Sequence, residues 1–127
     1  MTETILVVGS ERIDQQLVIW SLLKADYQVR YARSDSNAIR IIATETPSAV
    51  LLSLEHDNIQ EICFSIRRVA PAIPLLVIGR ENDTAIKVDL FRADADDYVR
   101  VPFDSTELIA RIRSAVRRPK KEHLIDS

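Results

Sequence analysis

A three-layer α/β fold, a parallel sheet between two layers of helices, is what this sequence predicts. Three observations carry the prediction. The runs Ile5-Leu6-Val7-Val8, Val50-Leu51-Leu52-Ser53-Leu54 and Pro74-Leu75-Leu76-Val77-Ile78-Gly79 are short and almost wholly apolar, as strands buried on both faces of a parallel sheet are. Between them, apolar residues recur at helical spacing, with cap residues before and prolines after. Strand and helix patterns then alternate five times, the order that yields parallel strands with crossover helices on both faces. Ligands of such sheets gather where strands end. The central run breaks into polar residues at Ser53, which makes Ser53 the place to look for chemistry.

The elements follow in chain order. Gly9-Ser10 ends the first strand. Ser10 or Glu11 opens a helix whose inward positions are expected at Ile13, Leu17, Trp20 and Leu23, ending near Lys24-Ala25-Asp26. Gln28-Val29-Arg30-Tyr31-Ala32 alternates polar and apolar, as a strand nearer a sheet edge does. Ser34-Asp35-Ser36 offers an N-cap for a second helix marked by Ala38, Ile41 and Ile42 and stopped before Pro47. After the central strand, Ile59, Ile62, Cys63, Ile66 and Val69 mark the inner face of a third helix that Pro71 ends. Asn82-Asp83-Thr84 caps a fourth, with Val88, Leu90 and Phe91 apolar. Asp97-Tyr98-Val99-Arg100 is a short fifth strand. Asp104 or Ser105 caps a last helix with Leu108, Ile112, Ala115 and Val116 inward, closed by Pro119.

Composition narrows the function classes. The 127 residues are enough for one domain with a real core. Lys plus Arg is 17 and Asp plus Glu 19, so a net charge of −2 gives the chain no overall affinity for nucleic acid. Only two glycines occur, which excludes the Gly-rich phosphate loops of many nucleotide-binding α/β proteins. The single cysteine, Cys63, rules out an intrachain disulfide and fits a reducing cytoplasm; within its apolar helical pattern it reads as an inert core thiol. Met1-Thr2-Glu3-Thr4 lacks the basic start of a secretory signal, and no apolar run approaches the roughly 20 residues of a membrane helix. No internal repeat is present.

Against this background, Ile5-Leu6-Val7-Val8, Pro74-Leu75-Leu76-Val77-Ile78 and above all Ala95-Asp96-Asp97-Tyr98-Val99-Arg100-Val101-Pro102-Phe103 resemble the receiver domain of bacterial two-component response regulators. The likeness covers Ile5 to Arg118. Glu107-Leu108-Ile109-Ala110-Arg111-Ile112-Arg113 and Arg117-Arg118 are similar to the subfamily in which a winged-helix DNA-binding domain follows. The resemblance implies a flavodoxin-like five-stranded parallel sheet in the order 2-1-3-4-5. It also implies phosphoryl transfer from a histidine kinase to an aspartate on the third strand. That chemistry uses an acidic pair holding Mg²⁺, a hydroxyl after strand four, and a lysine before a cis-proline turn.

Carried onto this chain, every chemical position is changed. The acidic pair falls on Gly9 and Ser10, the acceptor on Ser53, the hydroxyl position on Gly79 and the lysine on Val101. The loop after Ser53 is also about two residues shorter than the family's and lacks its glycine. Gly9 and Ser10 offer Mg²⁺ no carboxylate, Ser53 has no visible base, and Val101 cannot neutralise phosphate. No aspartyl phosphate, no Mg²⁺ cofactor and no enzymatic activity are therefore expected. Glu11 serves the first helical turn in this reading. Glu55 and Arg80 are a candidate ion pair across the altered pocket, weighed against a solvated Glu55. His56 reads as a surface histidine, because no second ligand accompanies it and His123 lies in the tail. Ser53-Leu54-Glu55-His56 lacks the elbow of a serine hydrolase. Tyr98 matches the family's switch aromatic.

The face made by the fourth helix, fifth strand and fifth helix retains more. Lys87, Asp96, Asp97, Glu107 and Arg111 match charged positions that pair across a two-fold dimer in the DNA-binding subfamily, with Phe91 and Ile109 as apolar contacts. A patch holding both charge signs is self-complementary; the bland alternative is a solvated helix face. The expectation is a receiver-like domain over residues 1–118, with 119–127 as tail or linker. It is a cytoplasmic, phosphorylation-independent signalling and homodimerisation module serving an attached DNA-binding domain, without binding nucleic acid or membrane itself. The runner-up is a stand-alone adaptor that takes a protein or small ligand in the altered pocket.

Overall fold

The computed structural model of the chain describes residues 3–9, 15–53, 59–80 and 84–118. Five strands form one parallel sheet in the order β2-β1-β3-β4-β5: β1 Thr4–Val8, β2 Gln28–Ala32, β3 Ala49–Ser53, β4 Leu75–Gly79 and β5 Asp97–Arg100. The helices α1 Gln15–Lys24, α2 Asp35–Glu45, α3 Ile59–Val69, α4 Thr84–Arg92 and α5 Ser105–Arg117 alternate with them. This is the predicted doubly wound, flavodoxin-like order.

Strand side chains alternate between the faces, and the core divides accordingly. Ile5, Val7, Ala49, Leu51, Leu76, Ile78 and Val99 pack with Val18 and Leu22 of α1 and Leu108 and Ile112 of α5. Leu6, Val8, Val50, Leu52 and Leu75 pack on the other side with Ala38, Ile41 and Ile42 of α2 and Ile62, Cys63 and Ile66 of α3. On that same side Val77 and Tyr98 meet Leu90, the one buried residue of α4. β1, β3 and β4 are buried along almost their whole length, while β2 keeps the alternating exposure of an edge strand.

Ser34 caps α2, its hydroxyl accepting from the Asn37 amide, and Asp104 caps α5, its carboxylate accepting from the Thr106 amide. Helix α1 departs from expectation. Val18, Ser21 and Leu22 are its buried stripe, whereas Leu17, Trp20 and Leu23 are exposed (37, 52 and 54%). The segment Leu17-Val18-Ile19-Trp20-Ser21-Leu22-Leu23 is apolar nearly all round, so its spacing allows two inward stripes, and docking against the sheet and α5 selects one. Ser21 can be buried because its hydroxyl donates to the Leu17 carbonyl and bonds Ser105 at the start of α5. Val69 likewise points outward at the end of α3, as do Val88 and Phe91 on α4.

Candidate functional site

The ends of β1, β3 and β4 bring Gly9, Ser53 and Gly79 to one edge of the sheet. Ser53 is 4% exposed and lies beside Ile78 in register. The Gly9 amide donates to the Ala32 carbonyl (3.3 Å) and its carbonyl accepts from the Tyr31 hydroxyl (2.9 Å). The Val101 amide donates to the Gly79 carbonyl (2.8 Å), and its half-buried side chain packs on the core beside Phe103. The Val101-Pro102 peptide is cis. This edge is backbone, hydroxyl and aliphatic surface at the positions where the resemblance called for carboxylates and a lysine.

The described residues do not fit a magnesium ion of the kind the family holds. Gly9 has no side chain, Ser53 offers a neutral hydroxyl, and no group of three or more His, Cys, Asp or Glu that could hold a metal occurs among the described residues. Ser10, Glu11, Glu55, His56 and His123 lie outside the described residues, and the Glu55–Arg80 pair falls there with them; Arg80 itself is exposed just past β4.

The second candidate region is tightly organised. Arg111 holds Asp97 through two hydrogen bonds from one nitrogen (2.9 and 3.0 Å) and donates from Nε to Glu107 (3.2 Å), one helical turn earlier. The hydrogen bond to Asp97 raises the Arg111 guanidinium above its ordinary value. Asp97 also accepts from the Tyr98 amide (2.8 Å). Tyr98 turns inward, 9% exposed among Val77, Leu90 and Ala95, and the Lys87 ammonium stands 5.5 Å from its ring centroid. Phe91, one helical turn after Lys87 on α4, is 53% exposed. Asp97, Glu107 and Arg111 thus form one network across β5 and α5, with Lys87 of α4 over the neighbouring Tyr98 ring.

Two residues expected on that face are not on it. Asp96 turns into the fold, where its carboxylate accepts from Arg67 of α3 (2.9 Å) and from the Leu75 amide at the start of β4 (2.8 Å). Adjacent residues entering a strand point to opposite sides, so only Asp97 of the pair can reach α5. Ile109 is buried against the α1 side of α5, because Glu107 and Arg111 already occupy the stripe facing β5.

Sequence reasoning missed Arg67. Its guanidinium donates to the carbonyls of Asp94 (2.9 and 2.7 Å) and Ile73 as well as to Asp96. It closes the inner wall of a concavity of about 650 Å³ at the opposite pole of the sheet, beside Pro47, Pro71, Asp94 and Arg118. Position 67 reads in sequence as an ordinary basic residue in a helix's last turn; its partners Asp94 and Asp96 lie 27 and 29 positions away.

The sheet order is the one the resemblance to receiver domains implied, and the comparisons show the family. The chain belongs to the response regulator receiver domain family, whose model matches residues 5–113. Response regulator MprA of Mycobacterium bovis (strain BCG / Pasteur 1173P2) is 32% identical over 129 aligned positions, which cover 100% of this chain and 56% of that protein. MprA of Mycobacterium ulcerans (strain Agy99) is 32% identical over 124, covering 96% and 53%. The chain thus spans about half the length of the curated relatives it matches. A putative response regulator from Chloroflexus aurantiacus J-10-fl superposes with a TM-score of 0.86 at 26% identity, over 93% of this chain and 100% of that one. A response regulator from Thermotoga maritima, at 24% identity and a TM-score of 0.84 over 93% and 100%, shares the fold.

Proposed function

We propose that this receiver domain signals without an aspartyl phosphate and without Mg²⁺, and that it does so by pairing with a second copy of itself. The observation that carries the reading is Ser53: a buried hydroxyl at the end of β3, in place of the family's acceptor aspartate, with Gly9, Gly79 and Val101 at the positions of an acid, the hydroxyl and the lysine. An acyl phosphate needs a carboxylate nucleophile, and a dianionic phosphoryl group needs cations to hold it. The Asp97–Arg111–Glu107 network, and Lys87 of α4 over the inward Tyr98 ring, supply the charged groups of the pairing face in this reading. In the curated relatives roughly half the protein lies outside the matched region; residues 119–127 serve in this reading as the link to an effector domain that controls transcription.

The test is incubation of the chain with a small phosphodonor and Mg²⁺, read by intact mass. The expected mass is unchanged. An acid-labile gain of one phosphoryl group overturns the reading.

A further inference from the structure

We infer that the concavity at the pole of the sheet opposite Ser53 is the docking site of this chain's own segment 119–127, with Leu124 and Ile125 seated in it. This inference does not depend on the fate of Ser53. The concavity, of about 650 Å³, has room for a short stretch of chain rather than one side chain. Its walls come from the turns that lead into β3, β4 and β5 and from the last turn of α5. Pro47, Pro71 and Pro74 line it, and a proline has no amide hydrogen to donate. Ile42, Val69 and Val116 add aliphatic surface, and Val69 is 48% exposed. Walls of this kind accept aliphatic side chains better than groups that need donors. Arg67 on the inner wall directs its guanidinium at the Asp94 and Ile73 carbonyls and at Asp96, which argues against a small anion as the occupant.

Position and charge select the occupant. Arg118, the residue after α5, lines the concavity, so segment 119–127 starts at its rim. Its backbone is extended (φ −62°, ψ 145°), as a residue before proline prefers, and the chain leaves the helix there. Leu124-Ile125 is the one apolar pair in a segment that is otherwise polar after Pro119. Leu124 stands six residues past Arg118, a reach of up to about 20 Å. Arg67 and Asp96 pair with each other at 2.9 Å. The other charged lining residues are Glu3, Asp94 and Arg118, two acids to one base. Lys120 and Lys121 bring the opposite sign to that rim. Attachment holds the segment at an effective concentration on the order of millimolar, so modest contacts suffice; a second copy's segment lacks that advantage. Docked, the segment covers the Arg67–Asp96 pair, which joins α3 to the start of β5, and fixes the direction in which the chain leaves the domain.

The test puts a nitroxide on Ser127→Cys in the full 127-residue chain; Cys63, 0% exposed, stays unlabelled. The readout is paramagnetic broadening of backbone amide signals. Ala43, Ala70 and Ala72, which line the concavity, should broaden far more than Gly9 and Gly79 at the other end of the sheet. Leu124→Asp with Ile125→Asp should cut that broadening roughly fivefold, because the attached segment then samples a wide volume. Neither residue belongs to a described strand or helix, so the amide spectrum of the domain should otherwise persist. Ala72→Trp, which fills the concavity from its wall, should have the same effect. Equal broadening in the double variant, or broadening confined to Arg117 and Arg118, overturns the inference. So does broadening passed from a labelled chain to an unlabelled, isotope-enriched one in an equal mixture, which assigns the concavity to a second copy's segment. None of these outcomes bears on the phosphodonor experiment.

Discussion

Asp96 and Asp97 are neighbours of identical chemistry with opposite fates. Asp96, on the inner side, meets Arg67 where both side chains are close to nine-tenths buried (11 and 12% exposed). Asp97, on the outer side, meets Arg111 at 20 and 39% exposure. Solvent decides their relative weight: removing one partner of a buried pair strands a charge, whereas an exposed pair is screened. Asp96→Asn should destabilise the domain by roughly 3 kcal/mol and Asp97→Asn by under about 1 kcal/mol, read from urea midpoints at constant slope. Equal losses would contradict the assignment. Cys63 offers a pH test. Burial pushes its thiol up to about 11 against an ordinary value of 9.0, and the nearby charge of Arg67 pulls weakly the other way. The unfolded chain releases that proton first, so between these values it binds fewer protons than the folded chain, and stability falls as pH rises. The loss approaches about 2–3 kcal/mol. The measurement is the difference between wild type and Cys63→Ala, whose slope in this window should be flatter.

At the scale of elements, boundaries follow local chemistry closely. Ser34 and Asp104 cap the helices they were expected to open. Helix α2 ends at Thr46 in the left-handed region (φ 44°, ψ 67°), donating its amide to the Ile42 carbonyl. Asp26 and Asp94 share that region (φ 68° and 72°), which short polar side chains tolerate; a β-branched threonine does not. Thr46→Gly should therefore stabilise the domain by about 1 kcal/mol, seen as a rise in melting temperature. A fall would mean that the threonine side chain contributes more than its backbone costs. Orientation was less legible than extent. In α1 the pattern permitted the stripe Leu17, Trp20, Leu23 as readily as Val18, Ser21, Leu22, and only the burial of Ser21 through two hydrogen bonds distinguishes them.

For the whole molecule, the Arg111 network predicts assembly. If α4, β5 and α5 form a two-fold interface, Arg111→Glu places a third acid beside Asp97 and Glu107 on each copy and should convert a dimer to a monomer. Sedimentation at micromolar concentration checks this; a monomer for both proteins refutes the dimer. The same experiment on Lys24→Glu should leave the dimer intact, since α1 packs on the opposite side of the sheet from α4.

By itself the sequence determined the five strand–helix units, the buried central strands and the residues standing at each strand end, Ser53 among them. These depend on spacing, capping and β-branched runs, which act between residues a few positions apart. The resemblance supplied the sheet order, and the structure agrees with it. Tertiary structure alone decided that Asp96 faces Arg67 rather than solvent, that Ile109 lies under the α1 side of α5, and that Trp20 is left outside. Each of those outcomes turns on a partner tens of residues away, competing for the same side of a strand or helix.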